Sequence, residues 1–241
     1  SGVGRRECMA WVHSLRASHE ASTVATYASY LHRFYGYMTE VGIFASNPMA
    51  LVREEMDESI ETDPTRRDVT LSAMASFVDD IAHPLDRALV VTLLKTGVRV
   101  GELCNLDLRD VHLDGIETGP IRPAIDGRPD SLFVTSDVAR GRTVNGEERT
   151  ASNKRKRDTV VPVDDELAGA LKRWLAVRPD AKSSAEPLFC STKSEWGARL
   201  TPKMVRSFVT DHAREVGWHR SGGDAEENVT PHYFRHFFTT H

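Results

Sequence analysis

Three separated segments of the sequence carry cationic side chains in patterns that could bind a phosphate group. The last segment, "TPHYFRHFFTTH" (230–241), places His232 and Arg235 three positions apart, and His236 follows His232 by four. On a helix that begins near Pro231, these residues lie on neighbouring positions of one face. The rest of the segment is aromatic, so we expect a largely buried helix, and a guanidinium in that setting needs an anionic partner.

The second segment, "LLKTGVRVGELCNLDLRD" (93–110), places Arg99 between two glycines of an otherwise apolar helix, Gly97 and Gly101. Glycine permits a helix break and the close approach of another backbone or a ligand. Glu102 follows Arg99 by three positions and could pair with it, holding the arginine in one rotamer. The alternative is that this ion pair is purely structural.

The third segment, "SNKRKRDTVVPV" (152–163), has four consecutive basic residues before a predicted strand: Lys154, Arg155, Lys156 and Arg157. Such a turn is often only a solvated tip. The surrounding residues 136–157 hold seven Lys/Arg against three acids, whereas residues 1–65 hold five against nine. A local positive site on a mildly acidic protein of net charge −4 is therefore expected.

Each segment alone has an ordinary interpretation, an arginine–acid pair with core histidines among them. A metal site is a further alternative, because His232 and His236 are four positions apart, but Tyr233 replaces the glutamate of an H-E-x-x-H pattern. Together, two arginines, a histidine and a lysine suit a pentavalent phosphorus transition state. Arginines grip nonbridging oxygens, and a lysine or histidine moves protons. No carboxylate trio indicates a two-metal nuclease.

The composition is that of an ordinary soluble globular protein, with 241 residues, 40% hydrophobic and 27% charged. No apolar run approaches the ~20 residues that span a bilayer, and nothing resembles a signal peptide. The three cysteines have no metal-ligand or redox spacing. We therefore expect a cytoplasmic protein without membrane contact.

Apolar periodicity and breakers predict a mainly helical chain. Residues 8–53 read as helical with a break near Gly42, and the charged stretch 53–68 reads as a linker between domains. The pattern then predicts helices at 72–82, 84–97, 100–106, 164–178, 202–217 and from Pro231, and strands at "SLFVTS" (131–136) and 158–163.

Four motifs resemble those of the tyrosine recombinase (phage integrase) family. "TGVRVGEL", "NKRKRDTVVPV" and "TPHYFRHFFTTH" look like its three leading catalytic motifs in the same order, and "STVATYASYLHRF" resembles its helical core-binding domain. The resemblance implies an α+β, mainly helical fold. Residues 1–63 would form an all-α, SAM-like DNA-binding domain, and residues 64–241 a catalytic domain with a small antiparallel sheet, together clamping duplex DNA.

The resemblance also implies a role for each motif residue. Arg99 matches the first catalytic arginine, His232 and Arg235 match the H-x-x-R pair, and Lys154 matches the β-hairpin lysine because it lies eight residues before Pro162. Lys156 is the alternative lysine if the register slips. Supporting roles are expected for Glu102 and His236, and DNA-binding roles for Arg155, Lys156 and Arg157.

The family's reaction cleaves and rejoins DNA through a 3′-phosphotyrosine, without metal or other cofactor. The implied partners are double-stranded DNA and further copies of the same chain on that DNA. In the family, the tyrosine lies downstream of H-x-x-R, whereas the five tyrosines here are Tyr27, Tyr30, Tyr35, Tyr37 and Tyr233. We therefore expect a truncated chain that ends before its nucleophile and binds DNA without cleaving it.

Two other functions stay open at this point. One is a DNA-binding regulator of the same fold that has lost its nucleophile, which the reading frame past residue 241 would distinguish. The other is a metal-dependent hydrolase built on His232 and His236. The segment 111–150 is longer than the short turn usual in the family, and we interpret it as an insertion of unknown role.

Overall fold

The structure is a computed structural model that describes residues 3–60, 65–193 and 195–240. The chain forms two compact units, Ser1–Pro64 and Thr65–His241. The predicted domain boundary at residues 63 and 64 lies outside the described residues, and the assignment of a core-binding and a catalytic role to the two units stays a prediction. No helix in the described ranges is long and apolar enough to cross a bilayer.

The first unit is helical, with α1 (Arg5–Arg16), α2 (Ala21–Glu40) and α3 (Ala50–Glu55). Its small core comes from all three helices and the turn before α3: Cys8, Val12, Val24, Ala28, Tyr35, Met49 and Val52. Tyr27 and Phe34, which helped to predict α2, are 40% and 51% exposed. Apolar residues occupy more than one face of α2, so periodicity identified the helix but not its buried side.

The second unit is built around α5 (Pro84–Thr96), which is buried on nearly all sides. This confirms the predicted helix at 84–97 and places it in the core. Five further helices surround it, with α5 packing most extensively on α7 and α9: α4 (Leu71–Asp80), α6 (Val100–Cys104), α7 (Asp165–Val177), α8 (Pro202–Glu215) and α9 (Pro231–Thr240). The predicted helices are therefore confirmed, with ends shifted by a few residues.

A small antiparallel sheet lies beside these helices. Its strand order is β1 (Val111–His112), β2 (Ser131–Val134) and β5 (Thr159–Pro162), and Leu132 pairs with Val161 in the central ladder. A separate hairpin joins β3 (Thr143–Val144) and β4 (Glu147–Glu148). The predicted fold class, mainly helical with a small antiparallel sheet, is confirmed.

A buried ionic network ties this hairpin to the rest of the second unit. The Asp107 carboxylate accepts two hydrogen bonds from Arg149, at 3.0 and 2.7 Å, and one from Arg199 at 2.6 Å. Asn145 donates to Asp107 at 3.1 Å, and Glu147 accepts from Arg199 at 2.6 Å. Asp107 and the Arg149 side chain are each only 1% exposed. The segment 111–150 therefore contributes residues to a buried network of ion pairs and hydrogen bonds in the core.

This network changes the interpretation of the positive cluster at 136–157. Arg149 was counted among its seven basic residues, but the structure buries it against Asp107. Arg142 pairs with Asp137 on the surface. A count of charges along the sequence does not distinguish a cation with an internal partner from one left for an external anion.

Candidate active site

The site begins where α5 ends. Gly97 adopts a left-handed conformation with φ of 57°, which closes α5 and redirects the chain towards α6. The carbonyl oxygen of Gly97 accepts a hydrogen bond from Nη1 of Arg235. Arg99 is the residue immediately before α6. The turn at Gly97 therefore places Arg99 at the start of α6, and its carbonyl holds the Arg235 side chain, which comes from α9.

A single buried carboxylate organises two arginines. Glu102 has a fully buried side chain and accepts hydrogen bonds from the backbone N–H of Arg99 at 2.9 Å and from its Nη1 at 3.3 Å. Nε of Arg155 lies 3.3 Å from the same carboxylate. Arg155 was predicted to contact DNA from a solvated turn, but its side chain is only 17% exposed and points inward. Its predicted role stays untested, and its position favours support of Arg99.

The loop that carries Lys154 packs directly on α6. A β-carbon at Gly101 would lie 3.1 Å from the carbonyl oxygen of Ser152, so glycine permits this close approach. The Asn105 side-chain amide donates to the Ala151 carbonyl at 3.0 Å and to the Asn153 side chain at 2.8 Å. These contacts hold the backbone on both sides of Ser152 and so position Lys154, whose side chain is exposed.

Helix α9 presents the H-x-x-R pair because its opposite face is buried. Tyr233, Phe234 and Phe237 face the core, and the Tyr233 hydroxyl donates to the Arg67 carbonyl at 2.8 Å. His232 is exposed and Arg235 is partly exposed. The prediction of a largely buried helix therefore holds for the aromatic face alone.

The four predicted catalytic side chains line one pocket of about 770 Å³: Arg99, Lys154, His232 and Arg235. Three further cations that the sequence analysis did not single out line the same pocket: Arg140, Lys203 and Arg206. No aspartate or glutamate is among the residues described as lining it. Glu102 bonds Arg99 without being among the residues described as lining the pocket. The same lining does not include Arg155, His236, Lys156 or Arg157.

The positive charge of the pocket shifts two pKa values. Although the surface of His232 is exposed, partial desolvation by its neighbours lowers its pKa below the usual 6.5, and nearby Arg66, Arg235 and Arg99 lower the pKa further. The neutral form of His232 therefore predominates at pH 7. Burial and the adjacent Arg99 also lower the pKa of Arg235. Both shifts follow from the partly desolvated, cationic surroundings of the pocket.

Metal binding was an alternative for His232 and His236. Within the part of the chain that the structure describes, no group of three or more His, Cys, Asp or Glu side chains is arranged to bind a metal ion. The polar side chains described as lining the pocket are cationic or neutral hydrogen-bond donors. Hydrogen-bond donors of this kind suit an anion.

Comparison with known proteins finds similarity to one family. Residues 134–241 match the model of the phage integrase family. The chain is 26% identical over 227 residues to the tyrosine recombinase XerC of Thermodesulfovibrio yellowstonii, covering 91% of this chain and 62% of that protein. It is 28% identical over 194 residues to the tyrosine recombinase XerA of Pyrococcus furiosus, covering 80% of this chain and 48% of that protein.

Solved structures show the same fold. A Tn1549 transposon integrase in complex with a circular intermediate DNA matches 99% of this chain and 72% of its own, with a TM-score of 0.70 and 18% identity. A lambda integrase tetramer bound to a Holliday junction matches with a TM-score of 0.65 and 15% identity, covering 99% of this chain and 59% of its own.

The chain is therefore similar in sequence to tyrosine recombinases, and its residues 134–241 match the phage integrase family. It spans about three fifths of the length of the XerC relative that it matches.

Proposed function

We propose that this chain is the part of a site-specific DNA recombinase that binds duplex DNA and activates its scissile phosphate. The observation that carries the proposal is the convergence of Arg99, Lys154, His232 and Arg235 on one pocket. These side chains come from three segments that are far apart in sequence. Among the described residues, Lys154, His232 and Arg235 form no ion pair with an acid. A fold that needed these three only for stability would pair them with acids, as it pairs Arg149 with Asp107.

In the proposed reaction, a tyrosine oxygen attacks the phosphorus and the 5′ oxygen leaves, which produces a 3′-phosphotyrosine and a free 5′-hydroxyl. Negative charge accumulates on the nonbridging oxygens in the transition state. Arg99 and Arg235 are the groups that would stabilise it, since planar guanidinium groups match phosphate oxygens. Glu102 would hold Arg99 in place during the reaction, because its carboxylate is buried and already bonded to Arg99.

Proton transfer would be divided between two residues. Lys154 would give a proton to the leaving 5′ oxygen, since its ammonium is the exposed donor on the loop beside the pocket. His232 would accept the proton of the attacking tyrosine, because its lowered pKa keeps it neutral at pH 7. No metal or other cofactor enters this scheme.

We propose that residues 1–241 bind DNA without forming the covalent intermediate. Tyr233 is the one tyrosine of the second unit, and its hydroxyl already donates to Arg67. The residues described as lining the pocket include no tyrosine. The tyrosine that acts as the nucleophile in the proposed reaction is therefore not among the residues described as lining the pocket.

Two measurements test the proposal. Fluorescence anisotropy with a 30-base-pair duplex should show binding whose affinity falls steeply with salt, by a log–log slope of about 0.9 for each phosphate contacted. Arg99→Gln and Arg235→Gln should each weaken binding by roughly tenfold, the effect of losing a charged hydrogen bond. Arg173→Gln, an exposed cation on α7, is the control.

Incubation of the chain with nicked duplex, followed by denaturing electrophoresis, should show no protein–DNA adduct. Salt-independent binding, or equal effects of the Arg99 and Arg173 variants, would contradict the proposal. The second candidate, a DNA-binding regulator, rests on the same absence of a tyrosine from the residues described as lining the pocket. Adduct formation by the protein expressed from the full reading frame that encodes these residues would exclude the regulator, and no adduct from that protein would favour it.

A further inference from the structure

The pocket is larger than its proposed catalytic ligand requires. A volume of about 770 Å³ lies within the range of roughly 300–1,000 Å³ that accommodates a drug-sized molecule. A phosphate group with its five heavy atoms fills a small part of that space. Arg99, Lys154, His232 and Arg235 account for one anion, so the remaining space and its lining need another occupant.

The remaining lining includes three cations that have no acidic partner. Arg140, Lys203 and Arg206 are all exposed, and among the described residues none of the three forms an ion pair with a carboxylate. Other arginines of the unit differ: Arg178 pairs with Glu186 at 3.0 Å. Unpaired like charges that share a pocket repel one another, and an anion between them relieves that repulsion.

We propose that Arg140, Lys203 and Arg206 form a second anion subsite, which binds a backbone phosphate next to the scissile one on the same DNA strand. This inference rests on the proposed function, because it takes the strand in the pocket as given. Lys203 and Arg206 are three positions apart on α8 and therefore lie on one face. Arg140 faces them from the loop that follows β2.

The buried Asp107 network anchors both walls of this subsite. On one side, Arg149 binds Asp107 and its backbone carbonyl accepts from the N–H of Gly141 at 2.8 Å, next to Arg140. On the other side, Arg199 binds Asp107 two residues before Thr201, the cap of α8. One carboxylate thus sets the positions of two chain segments whose cations face the same pocket.

A third contact fixes the loop itself. The N–H of Arg140 donates to the hydroxyl of Ser152 at 2.9 Å, and Ser152 lies two residues before Lys154. The second subsite and the catalytic lysine therefore share one backbone segment. This gives the long connection between β2 and β5 a function: it carries Arg140 to the phosphate beside the one that reacts.

Salt-dependent binding of the 241-residue chain to a 30-base-pair duplex tests the subsite. Arg140→Gln and Arg206→Gln should each reduce the log–log salt slope, by at most about 0.9 because they share one phosphate, and weaken binding by roughly tenfold at fixed salt. Arg206→Lys should retain the slope, because the charge remains. Arg173→Gln should retain it too. Circular dichroism and thermal melting verify that each variant is folded.

A double variant separates a second subsite from a shared one. If Arg99 and Arg206 hold different phosphates, Arg99→Gln with Arg206→Gln should lose the sum of the two single slope changes and affinity changes. A double variant no weaker than Arg99→Gln alone would mean that both arginines bind one phosphate, and the second subsite would be rejected.

The controls keep this inference apart from the proposed function. Wild-type binding that does not respond to salt would overturn both. A wild-type protein that responds to salt and loses affinity on Arg99→Gln, but behaves normally on Arg140→Gln and Arg206→Gln, would overturn the second subsite alone.

Discussion

Nε of Arg155 lies 3.3 Å from the carboxylate of Glu102, whose side chain is completely buried beneath the site. Arg99 approaches the same carboxylate from the other side at 3.3 Å. The basic residues of the turn 154–157 therefore point in different directions. Lys154 lines the pocket, whereas Arg155 contacts Glu102, the carboxylate that holds Arg99. We propose that Arg155 acts through Arg99, as a positioning residue.

We expect Arg155→Gln to lower the free energy of unfolding by about 1–3 kcal/mol, because a buried carboxylate loses one of its two cations. The salt slope for DNA binding should stay unchanged. Arg157→Gln, two residues away and exposed, is the matched control: its stability should stay within about 0.5 kcal/mol, and its slope should fall if it contacts phosphate. A reduced slope with normal stability in the Arg155 variant would show that Arg155 binds DNA directly.

The central role of Asp107 predicts a large stability effect. Asp107→Asn leaves Arg149 buried with a weakened partner, so the free energy of unfolding in urea should fall by about 3–5 kcal/mol. Asp137→Asn, which breaks an exposed pair with Arg142, should cost less than about 1 kcal/mol. Similar losses in the two variants would contradict the structural importance of the network.

Gly97 is predicted to be required for two reasons that a control can separate. Alanine there must adopt a φ of 57°, and its β-carbon would lie 2.4 Å from the Phe238 ring. Gly115 has a φ of 71° with open space around it, so Gly115→Ala measures backbone strain alone, about 1 kcal/mol. Gly97→Ala should cost at least about 1 kcal/mol more and weaken DNA binding, because the carbonyl that holds Arg235 moves. Equal losses of stability in the Gly97 and Gly115 variants would show that α9 shifts to accommodate the added β-carbon without further loss.

The lowered pKa of His232 predicts a pH dependence of DNA binding. A phosphate beside the imidazole favours its charged form and raises its pKa again. Binding therefore takes up a fraction of a proton that is small at pH 7.5 and grows as the pH falls, so affinity should rise from pH 7.5 through 6.5 towards the lowered pKa of the free site. His232→Gln should reduce this rise, whereas His83→Gln, an exposed histidine of the same unit, should not. Unchanged pH dependence in the His232 variant would place the phosphate elsewhere.

The sequence predicted the parts of the site that depend on local pattern. Arg99 with Glu102, and His232 with Arg235, are separated by three residues each, so helical geometry and a family resemblance sufficed to group them. The helices could also be predicted from the sequence, because α5 and α9 have long apolar or aromatic faces that are bounded by helix-breaking residues.

The rest of the pocket depends on contacts between distant residues. Arg199 meets Asp107 from 92 positions away, and no local pattern distinguishes it from an exposed arginine. Arg149 and Arg140 are nine positions apart in one basic segment, yet one is buried in an ion pair and the other lines the pocket. The sequence reveals charge, whereas only the fold reveals which cations have been neutralised.

The central claim is that Arg99 and Arg235 hold the same phosphate. A crystal structure of this chain with a duplex selected for tight binding measures this directly. We predict one phosphorus whose nonbridging oxygens accept hydrogen bonds from both guanidinium groups, with Nζ of Lys154 nearest to its 5′ oxygen. Two different phosphates on the two arginines, or a duplex that leaves the pocket unfilled, would contradict the account.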